Sequence, residues 1–349
     1  MNSLTLKYLD RLTFDAEQMG SLRAIGEYRG KQALFVKQSP ETLNTLRMVA
    51  KIESSESSNR LEGIELPHKK IEELVLKETK PKTRSEQEIA GYRDALNLIH
   101  DSGEHMPFTM GVILQLHGIL YRYMSNPGGR WKFTDNEIIE THPDGTKRIR
   151  FIPTKAHLTQ NVMEQLTKNY SAAIAQNQKD PLILIPLAIL DFLCVHPFSD
   201  GNGRMSRLLT LMLLYHFDYQ VGHYISLERI FEDSKESYYE TLEASSKNWH
   251  EGKQDVKPWL NYFWGSLIRA YREFEDRVGV ITTSRGSKTE LIRSTINRKI
   301  VTFSISEIES DCPGISRDMI RLVLRQMKEE GLIIPKGKGR SALWEKVMK

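Results

Sequence analysis

The residues between positions 196 and 207, HPFSDGNGRMSR, bring together side chains suited to chemistry on phosphates. His196 is a base with an ordinary pKa near ~6.5, which suits it to take a proton from a hydroxyl nucleophile. Asp200, four residues later, supplies the hard oxygen ligand that Mg²⁺ prefers when it is shared with phosphate groups. The pair predicts a general base beside a metal-assisted phosphate site.

A glycine-rich turn and two arginines follow the aspartate. Gly201, Asn202 and Gly203 precede a helical stretch, and the unpaired N–H groups at a helix N-terminus bind anions. Arg204 and Arg207 lie one turn apart on that helix and can fork onto phosphate oxygens. A single histidine after a helix is usually a core residue, and a Gly-Asn-Gly turn is usually only a turn. The combination at this spacing is hard to obtain from packing demands alone.

Two apolar helices must position this segment. Residues 181–195, PLILIPLAILDFLCV, are too short and too interrupted by Asp191 to span a membrane, which takes ~20 apolar residues, so they predict a buried helix. A second helix begins near Gly203 and continues through MSRLLTLMLLYHF. The candidate base therefore lies in the turn between two core helices.

The segment resembles the active-site motif of Fic-domain proteins, H-P-F-x-D/E-G-N-G-R-x-x-R, and all of its fixed positions match. The resemblance implies a helical enzyme that transfers AMP from ATP to a Ser, Thr or Tyr hydroxyl of a target protein. Related Doc-type kinases carry Lys in place of the second glycine, so Gly203 favours the AMP-transferring branch. Phe198 would anchor the loop in the core.

The resemblance also implies a role for each matched position. His196 corresponds to the catalytic base and Asp200 to the ligand of Mg²⁺, with ATP as the substrate. Tyr239, with its neighbour Tyr238, falls where family members line the nucleotide base, although two core tyrosines on a helix are nearly as good an interpretation. The phosphate-binding positions are Gly201, Asn202, Gly203, Arg204 and Arg207.

A second pattern lies upstream, at residues 58–63. SNRLEG matches the inhibitory Fic pattern [S/T]-x-x-x-E-[G/N], which is weak alone but gains weight beside a complete motif. The resemblance implies that Glu62 pairs with Arg207 and keeps ATP in an unproductive position. In some relatives the same glutamate positions a water that removes AMP, so a role of Glu62 in the reverse reaction stays open.

The chain as a whole is predicted to be mainly α. We expect helices at 41–59, 85–102, 109–123, 158–177, 236–249 and 257–278, whereas residues 1–40 are turn-rich. A hairpin at 142–153, HPDGTKRIRFIP, resembles the Fic flap that pairs with the target segment. The predicted divisions are an N-terminal region with the inhibitory helix at 1–84, a Fic core at 85–278, a linker at 279–287 and a winged helix-turn-helix at 288–349.

The C-terminal region permits a competing function. Residues 285–349 carry 14 Lys and Arg against 8 Asp and Glu, with Arg317, Arg321 and Arg325 along one predicted helix and Lys336, Lys338 and Arg340 in the predicted wing. A basic helix with a basic wing is typical of duplex DNA binding, but many winged helices dock proteins instead. The alternative interpretation is therefore that the protein is a DNA-binding regulator whose Fic core senses nucleotide.

Composition sets the remaining limits. The 349 residues are 40% hydrophobic and 27% charged with a net charge of +4, as expected of a globular protein of more than one domain. Two distant cysteines and an N-terminus without a basic head and apolar run indicate a cytoplasmic protein with no membrane partner. The target protein, homo-oligomer formation and the signal that releases Glu62 are not determined by the sequence.

Overall fold

The computed structural model describes residues 3–36, 40–141, 145–281, 287–299, 302–312, 315–337 and 343–347. These residues form fifteen α-helices and five β-strands, so the predicted mainly helical fold with a small hairpin is confirmed. No helix among them is long and apolar enough to cross a bilayer.

The helices and strands follow one another along the chain in this order: α1 Leu6–Leu9, α2 Ala16–Val36, α3 Pro40–Arg60, α4 His68–Leu76, α5 Arg84–Ser102, α6 Met110–Leu120, β1 Ile138–Thr141, β2 Lys147–Phe151, α7 Thr159–Ala175, α8 Pro181–Val195, α9 Asn202–Tyr215, α10 Leu227–Asp233, α11 Lys235–Ser246, α12 Lys257–Ile281, α13 Ser287–Arg298, β3 Phe303–Ser304, α14 Ile305–Asp311, α15 Arg317–Glu329, β4 Ile333–Lys336 and β5 Leu343–Lys346.

Helices α8 and α9 form the centre of the main hydrophobic core. Asp180 caps α8 by accepting a hydrogen bond from Leu182 N at 2.8 Å, and Pro181 fits the first turn because its missing N–H needs no partner there. A helix that is apolar on all sides is stable only when it is surrounded, and α8 packs against α7, α9, α11 and α12. The turn between α8 and α9 is therefore held at both ends by the core.

The expectation of a turn-rich region at 1–40 is wrong for residues 16–36, which form α2. Gly20, Gly26 and Gly30 lie within this helix and lower its intrinsic helix propensity. Tertiary contacts outweigh that cost. Ile25 is fully buried, and Gln18 Nε2 donates to Asn261 Oδ1 on α12 at 2.9 Å.

The hairpin lies close to its predicted place but starts earlier. Strands β1 and β2 pair antiparallel, with Ile139 opposite Ile149 and Thr141 opposite Lys147. Residues 142–144 of the predicted hairpin lie outside the described part of the chain. We call the β1–β2 hairpin the flap.

The C-terminal region has its own small core, which includes Phe303, Ile308, Ile320 and Leu324. Helices α13, α14 and α15 are followed by β4 and β5, and β3 adds a third antiparallel strand beside β5 that the sequence did not indicate. Lys338 and Arg340 of the predicted wing lie outside the described residues, as does most of the predicted linker. The winged-helix assignment and the domain boundaries stay predictions.

Candidate active site

The turn after α8, which we call the motif loop (residues 196–201), begins with an unusual backbone conformation. His196 has φ 49° and ψ 61°, and its N–H donates to Phe192 O at 2.9 Å. A left-handed conformation is costly for a residue with a Cβ, and a following proline further disfavours helical angles at this position. The ring Nδ1 donates to Leu193 O at 3.3 Å, which leaves Nε2 as the proton acceptor.

Asn202 closes the motif loop from within. Its side-chain Oδ1 accepts from Phe198 N at 2.9 Å and its Nδ2 donates to Phe198 O at 2.8 Å, while the asparagine is only 2% exposed. Both ends of its amide are therefore engaged with the loop backbone. The Asn202 side chain therefore stabilises the shape of the motif loop, whereas the Asn202 backbone lies at the start of α9.

Phe198 and His117 anchor the loop in the core. The Phe198 ring is fully buried and stacks on His117 at a centroid distance of 3.7 Å, with Trp131 on the other side at 5.3 Å. His117 Nε2 donates to Asp200 O at 3.1 Å, and its Nδ1 accepts from Gly129 N at 2.8 Å. Burial lowers the pKa of His117 to about 4, so the ring is neutral, as both hydrogen bonds require. No pattern in the sequence indicated His117 as part of the site.

A cavity of about 580 Å³ opens over the motif loop and the start of α9. It is lined by the predicted residues His196, Asp200, Gly201, Asn202, Gly203, Arg207, Glu62 and Tyr239, together with Tyr238 and flap residues such as Arg150. Residues from distant parts of the sequence thus meet at one site. The volume is within the ~300–1,000 Å³ that small-molecule sites occupy.

Glu62 lies over the N-terminus of α9. A Cβ placed on Gly203 would lie 2.2 Å from Glu62 Oε1, so only glycine accommodates the carboxylate at this distance. Arg207 Nη2 donates to the same oxygen at 2.7 Å, and its side chain is 2% exposed against 31% for Glu62. The carboxylate occupies the position where a helix N-terminus and an arginine both favour an anion.

The first residue of the SNRLEG pattern also acts on Arg207. Ser58 Oγ accepts from Arg207 Nε at 2.8 Å, and Ser58 O accepts from Nη2 at 2.9 Å. Gly63 has φ 77° where the chain leaves α3, a conformation that favours glycine. Burial is the largest single influence and lowers the pKa of Arg207, but the Glu62 carboxylate together with Tyr238, Tyr92 and Tyr239 raises the pKa above its usual range.

Arg204 is buried next to the motif loop, with Nη2 3.7 Å from Asp200 Oδ2, and its phosphate contact stays a prediction. It is not among the described residues that line the cavity. Its Nη1 donates to Glu88 Oε2 on α5 at 2.8 Å, its Nη2 donates to the Tyr121 hydroxyl at 3.2 Å, and it is 1% exposed. Arg204 therefore ties α9 to α5 and α6, and the sequence did not indicate Glu88 or Tyr121 as its partners.

Asp200 fits a metal that is shared with a substrate. Its side chain is 62% exposed at the cavity, and Oδ1 accepts from Gly201 N at 2.7 Å. Burial raises the pKa of Asp200, but the Tyr121 hydroxyl, the Arg204 charge and the Gly201 N–H together lower it below its ordinary value. Among the described residues, no cluster of three or more His, Cys, Asp or Glu side chains could hold a metal alone. A metal held by Asp200 would need oxygens of phosphates and water as further ligands, a ligand set that suits Mg²⁺.

The flap and α11 form the opposite wall of the cavity. Arg150 donates to Glu243 Oε2 at 2.9 Å and to Tyr239 O at 3.0 Å, and its guanidinium lies 5.6 Å from the centre of the Tyr239 ring. The Tyr239 hydroxyl donates to Leu61 O at 3.3 Å, next to Glu62. Tyr238 is 3% exposed and packs among Phe231, Trp259 and Tyr262. Of the two tyrosines, Tyr239 is the more accessible from the cavity.

In the C-terminal region, two of the three arginines predicted on α15 form ion pairs. Arg317 contacts Glu309 at 2.8 Å and Arg321 contacts Asp318 at 3.1 Å. Lys336 of β4 likewise contacts Glu345 at 2.7 Å. These pairs reduce the positive charge available to a phosphate backbone, and the DNA-binding alternative stays a prediction.

Comparison with known proteins supports the resemblance. The Fic/DOC family model matches residues 107–214, which include the whole motif. A Fido domain-containing protein from Dictyostelium discoideum is 24% identical over 96 residues, which span 28% of this chain and 63% of that relative. The Fic/DOC resemblance is thereby confirmed for the matched segment.

Solved structures show the same fold over a longer part of the chain. A Fic family protein from Desulfovibrio desulfuricans aligns with a TM-score of 0.62 at 20% identity, covering 97% of this chain and 98% of its own. A Fic domain containing signaling protein from Bacteroides thetaiotaomicron has a TM-score of 0.60 at 21% identity, covering 71% of this chain and 95% of its own. Fic-1 from C. elegans has a TM-score of 0.59 at 18% identity over 76% of this chain and 73% of that one.

Proposed function

We propose, from the match of residues 107–214 to the Fic/DOC family and from the cavity described above, that this protein is an adenylyltransferase. It would transfer AMP from ATP to a Ser, Thr or Tyr hydroxyl of a target protein, and Glu62 would hold it inactive. The observation that carries the proposal is that His196, Asp200, Gly203 and Arg207 line one cavity, which Glu62 enters.

His196 would act as the base. Burial lowers its pKa to about 4, with the nearby charge of Lys132 acting in the same direction, so the ring is neutral near pH 7. Its Nε2 takes the proton of the acceptor hydroxyl, and the hydroxyl oxygen forms a bond to the α-phosphorus as the bond to pyrophosphate breaks. The flap would present the acceptor by pairing with the target backbone.

The phosphate contacts would come from the start of α9. Asn202 and Gly203 line the cavity in the first turn of α9, where backbone N–H groups lack helical partners and can bind phosphate, and Arg207 is the motif arginine that lines the cavity. Asp200 would hold Mg²⁺, and the bound ion would supply positive charge beside the phosphates. Tyr239 would contact the nucleotide base on the side of α11.

Inhibition follows from charge and position. Arg207 is already paired with Glu62, so it cannot grip a γ-phosphate without first losing that partner. A carboxylate over the helix N-terminus also repels the phosphates. ATP held even slightly away from the productive position would react about 100-fold more slowly.

The proposal is tested by supplying ATP labelled at either the α- or the γ-phosphate to the wild type, Glu62→Gly and the Glu62→Gly, His196→Ala double variant. We expect protein-bound α label in Glu62→Gly, little in the wild type and none in the double variant. Protein-bound γ label would indicate phosphoryl transfer and overturn the assignment. Equal α label in the wild type and Glu62→Gly would refute inhibition by Glu62, and label in the double variant would exclude His196 as the base.

A chase of the labelled Glu62→Gly product with unlabelled wild-type protein addresses the reverse reaction. Loss of AMP that requires Glu62 would assign the glutamate the second role, positioning a water for removal of AMP. Retention of the label would leave inhibition as its role.

A further inference from the structure

Lys132 is a buried lysine outside the matched motif. It is 3% exposed, and lysine is almost never fully buried unless it is paired. Its Nζ donates to Asn136 Oδ1 at 2.7 Å and to Val195 O at 3.1 Å. Its backbone N–H donates to Pro197 O at 2.8 Å. One residue therefore holds the carbonyls on both sides of His196.

Asn136 completes this set of donors. Its Nδ2 donates to Phe198 O at 3.1 Å and lies 3.4 Å from His196 O, while its Oδ1 accepts from Lys132. Successive carbonyls of residues 195 to 198 thus turn toward one short segment, residues 132–136. Burial lowers the pKa of Lys132 to about 8, and the Asp135 charge acts in the opposite direction. The hydrogen bonds of Nζ to Asn136 and Val195 offset part of the cost of burying the ammonium group.

The backbone that Lys132 and Asn136 contact includes His196, the residue of the motif loop with the left-handed conformation. His196 has left-handed backbone angles and is followed by proline, a combination that is unfavourable and persists only where the surrounding structure fixes it. Four carbonyl contacts from Lys132 and Asn136 supply that restraint. Without them the backbone around His196 would relax, and its Nε2 would move relative to the cavity.

We infer that Lys132 and Asn136 are positioning residues for the transfer reaction, which hold His196 in the conformation that directs Nε2 toward the acceptor hydroxyl. The expected effect on the rate of AMP transfer rests on the proposed function. The expected effect on the conformation of the motif loop rests on the hydrogen bonds alone. Neither residue is among those that line the cavity, so they act through His196 and not on ATP.

Lys132 has a second effect that Asn136 does not share. The charged groups that act on His196 are Lys132, which lowers its pKa, and Glu62 and Asp200, which raise it. In the Glu62→Gly background, Lys132 and Asp200 remain. Replacing Lys132 by an uncharged residue removes positive charge beside the imidazole, so the pKa of His196 rises and the base loses its proton only at higher pH.

The test compares Lys132→Met, Lys132→Arg and Asn136→Ala in the Glu62→Gly background, with Lys155→Met as the matched change at an exposed lysine. We expect Lys132→Met and Asn136→Ala to lower kcat for AMP transfer about 10- to 100-fold with KM for ATP changed less than threefold. Lys132→Arg should recover part of the loss. Only Lys132→Met should shift the acidic limb of the kcat profile to higher pH.

Hydrogen exchange of the peptide that covers residues 193–201 gives a reading that does not need activity. Exchange should increase in Lys132→Met and Asn136→Ala and remain at the parent level in Lys155→Met. If Glu62→Gly transfers no AMP, the proposed function fails, and the exchange result alone decides the inference. The positioning role would be overturned if both Lys132→Met and Asn136→Ala kept the kcat of the Glu62→Gly parent, or if both kept its rate of exchange. A fall in kcat accompanied by an equal loss of ATP binding would also overturn it.

Discussion

The contact between Glu62 and Arg207 predicts that the inhibitory side chain stabilises the protein in the absence of nucleotide. Glu62→Gln keeps the size of the side chain and removes its charge. Arg207 keeps its two bonds to Ser58, so it is not left without partners. The change therefore isolates the charge-assisted part of the contact at 2.7 Å.

The expected cost follows from the environment of the pair. A hydrogen bond between charged groups contributes about 1.5–3 kcal/mol, and the lower end applies because Glu62 is 31% exposed while Arg207 is buried. At roughly 2–4 °C per kcal/mol for chains of this class, the melting temperature of Glu62→Gln should fall by about 3–6 °C. ATP should then stabilise the variant more than the wild type, since Arg207 no longer has to lose a carboxylate.

The assay is a thermal melt of the wild type and Glu62→Gln over a series of ATP concentrations with Mg²⁺. Glu65→Gln, a change at an exposed carboxylate three residues further on, is the control and should melt like the wild type. A wild-type melting temperature for Glu62→Gln, together with the same response to ATP, would refute the reasoning. It would show that the pair contributes neither to stability nor to nucleotide exclusion.

Three further perturbations are predicted. Hydrogen bonding to Glu56 raises the pKa of His68, so the stability that His68 contributes is present below the unfolded pKa of about 6.5 and is lost as the pH rises through the higher folded pKa. The unfolding free energies of the wild type and His68→Gln should therefore differ more at pH 6 than at pH 9, and an equal difference at both pH values would contradict this. Phe198→Ala should cost about 3–5 kcal/mol in urea unfolding because the ring is fully buried; a cost below about 1 kcal/mol would show that it does not anchor the loop. In the Glu62→Gly background, Asp200→Asn should raise the Mg²⁺ concentration for half-maximal AMP transfer at least about tenfold; an unchanged value would exclude Asp200 as the ligand.

Local patterns predicted the parts of the site that are close in sequence. The motif loop and the first turn of α9 lie within residues 196–207, so their side chains meet through one turn and one helix. The partner of Arg207 came from a second local pattern, and the geometry of Ser58 explains why that pattern begins with a hydroxyl residue. Local sequence was sufficient wherever the chemistry depends on spacing within one element.

Contacts between distant elements could not be predicted in this way. The spacing of Arg204 predicts a phosphate contact but gives no indication of Glu88, which the packing of α5 brings to it across the core. His117 and Lys132 contact the motif loop and the end of α8 because α6 and the segment after it lie beside them in the fold. Helix α2 likewise forms against its local propensity because α12 covers one of its faces.

Mass spectrometry of lysate proteins after incubation with ATP, Mg²⁺ and the Glu62→Gly form measures the transferred group and its acceptor together. We expect proteins that gain the mass of one AMP on Ser, Thr or Tyr, and no such gain when His196→Ala is added to the same form. Modification by phosphate in place of AMP, or an AMP gain that persists in the double variant, would contradict this expectation.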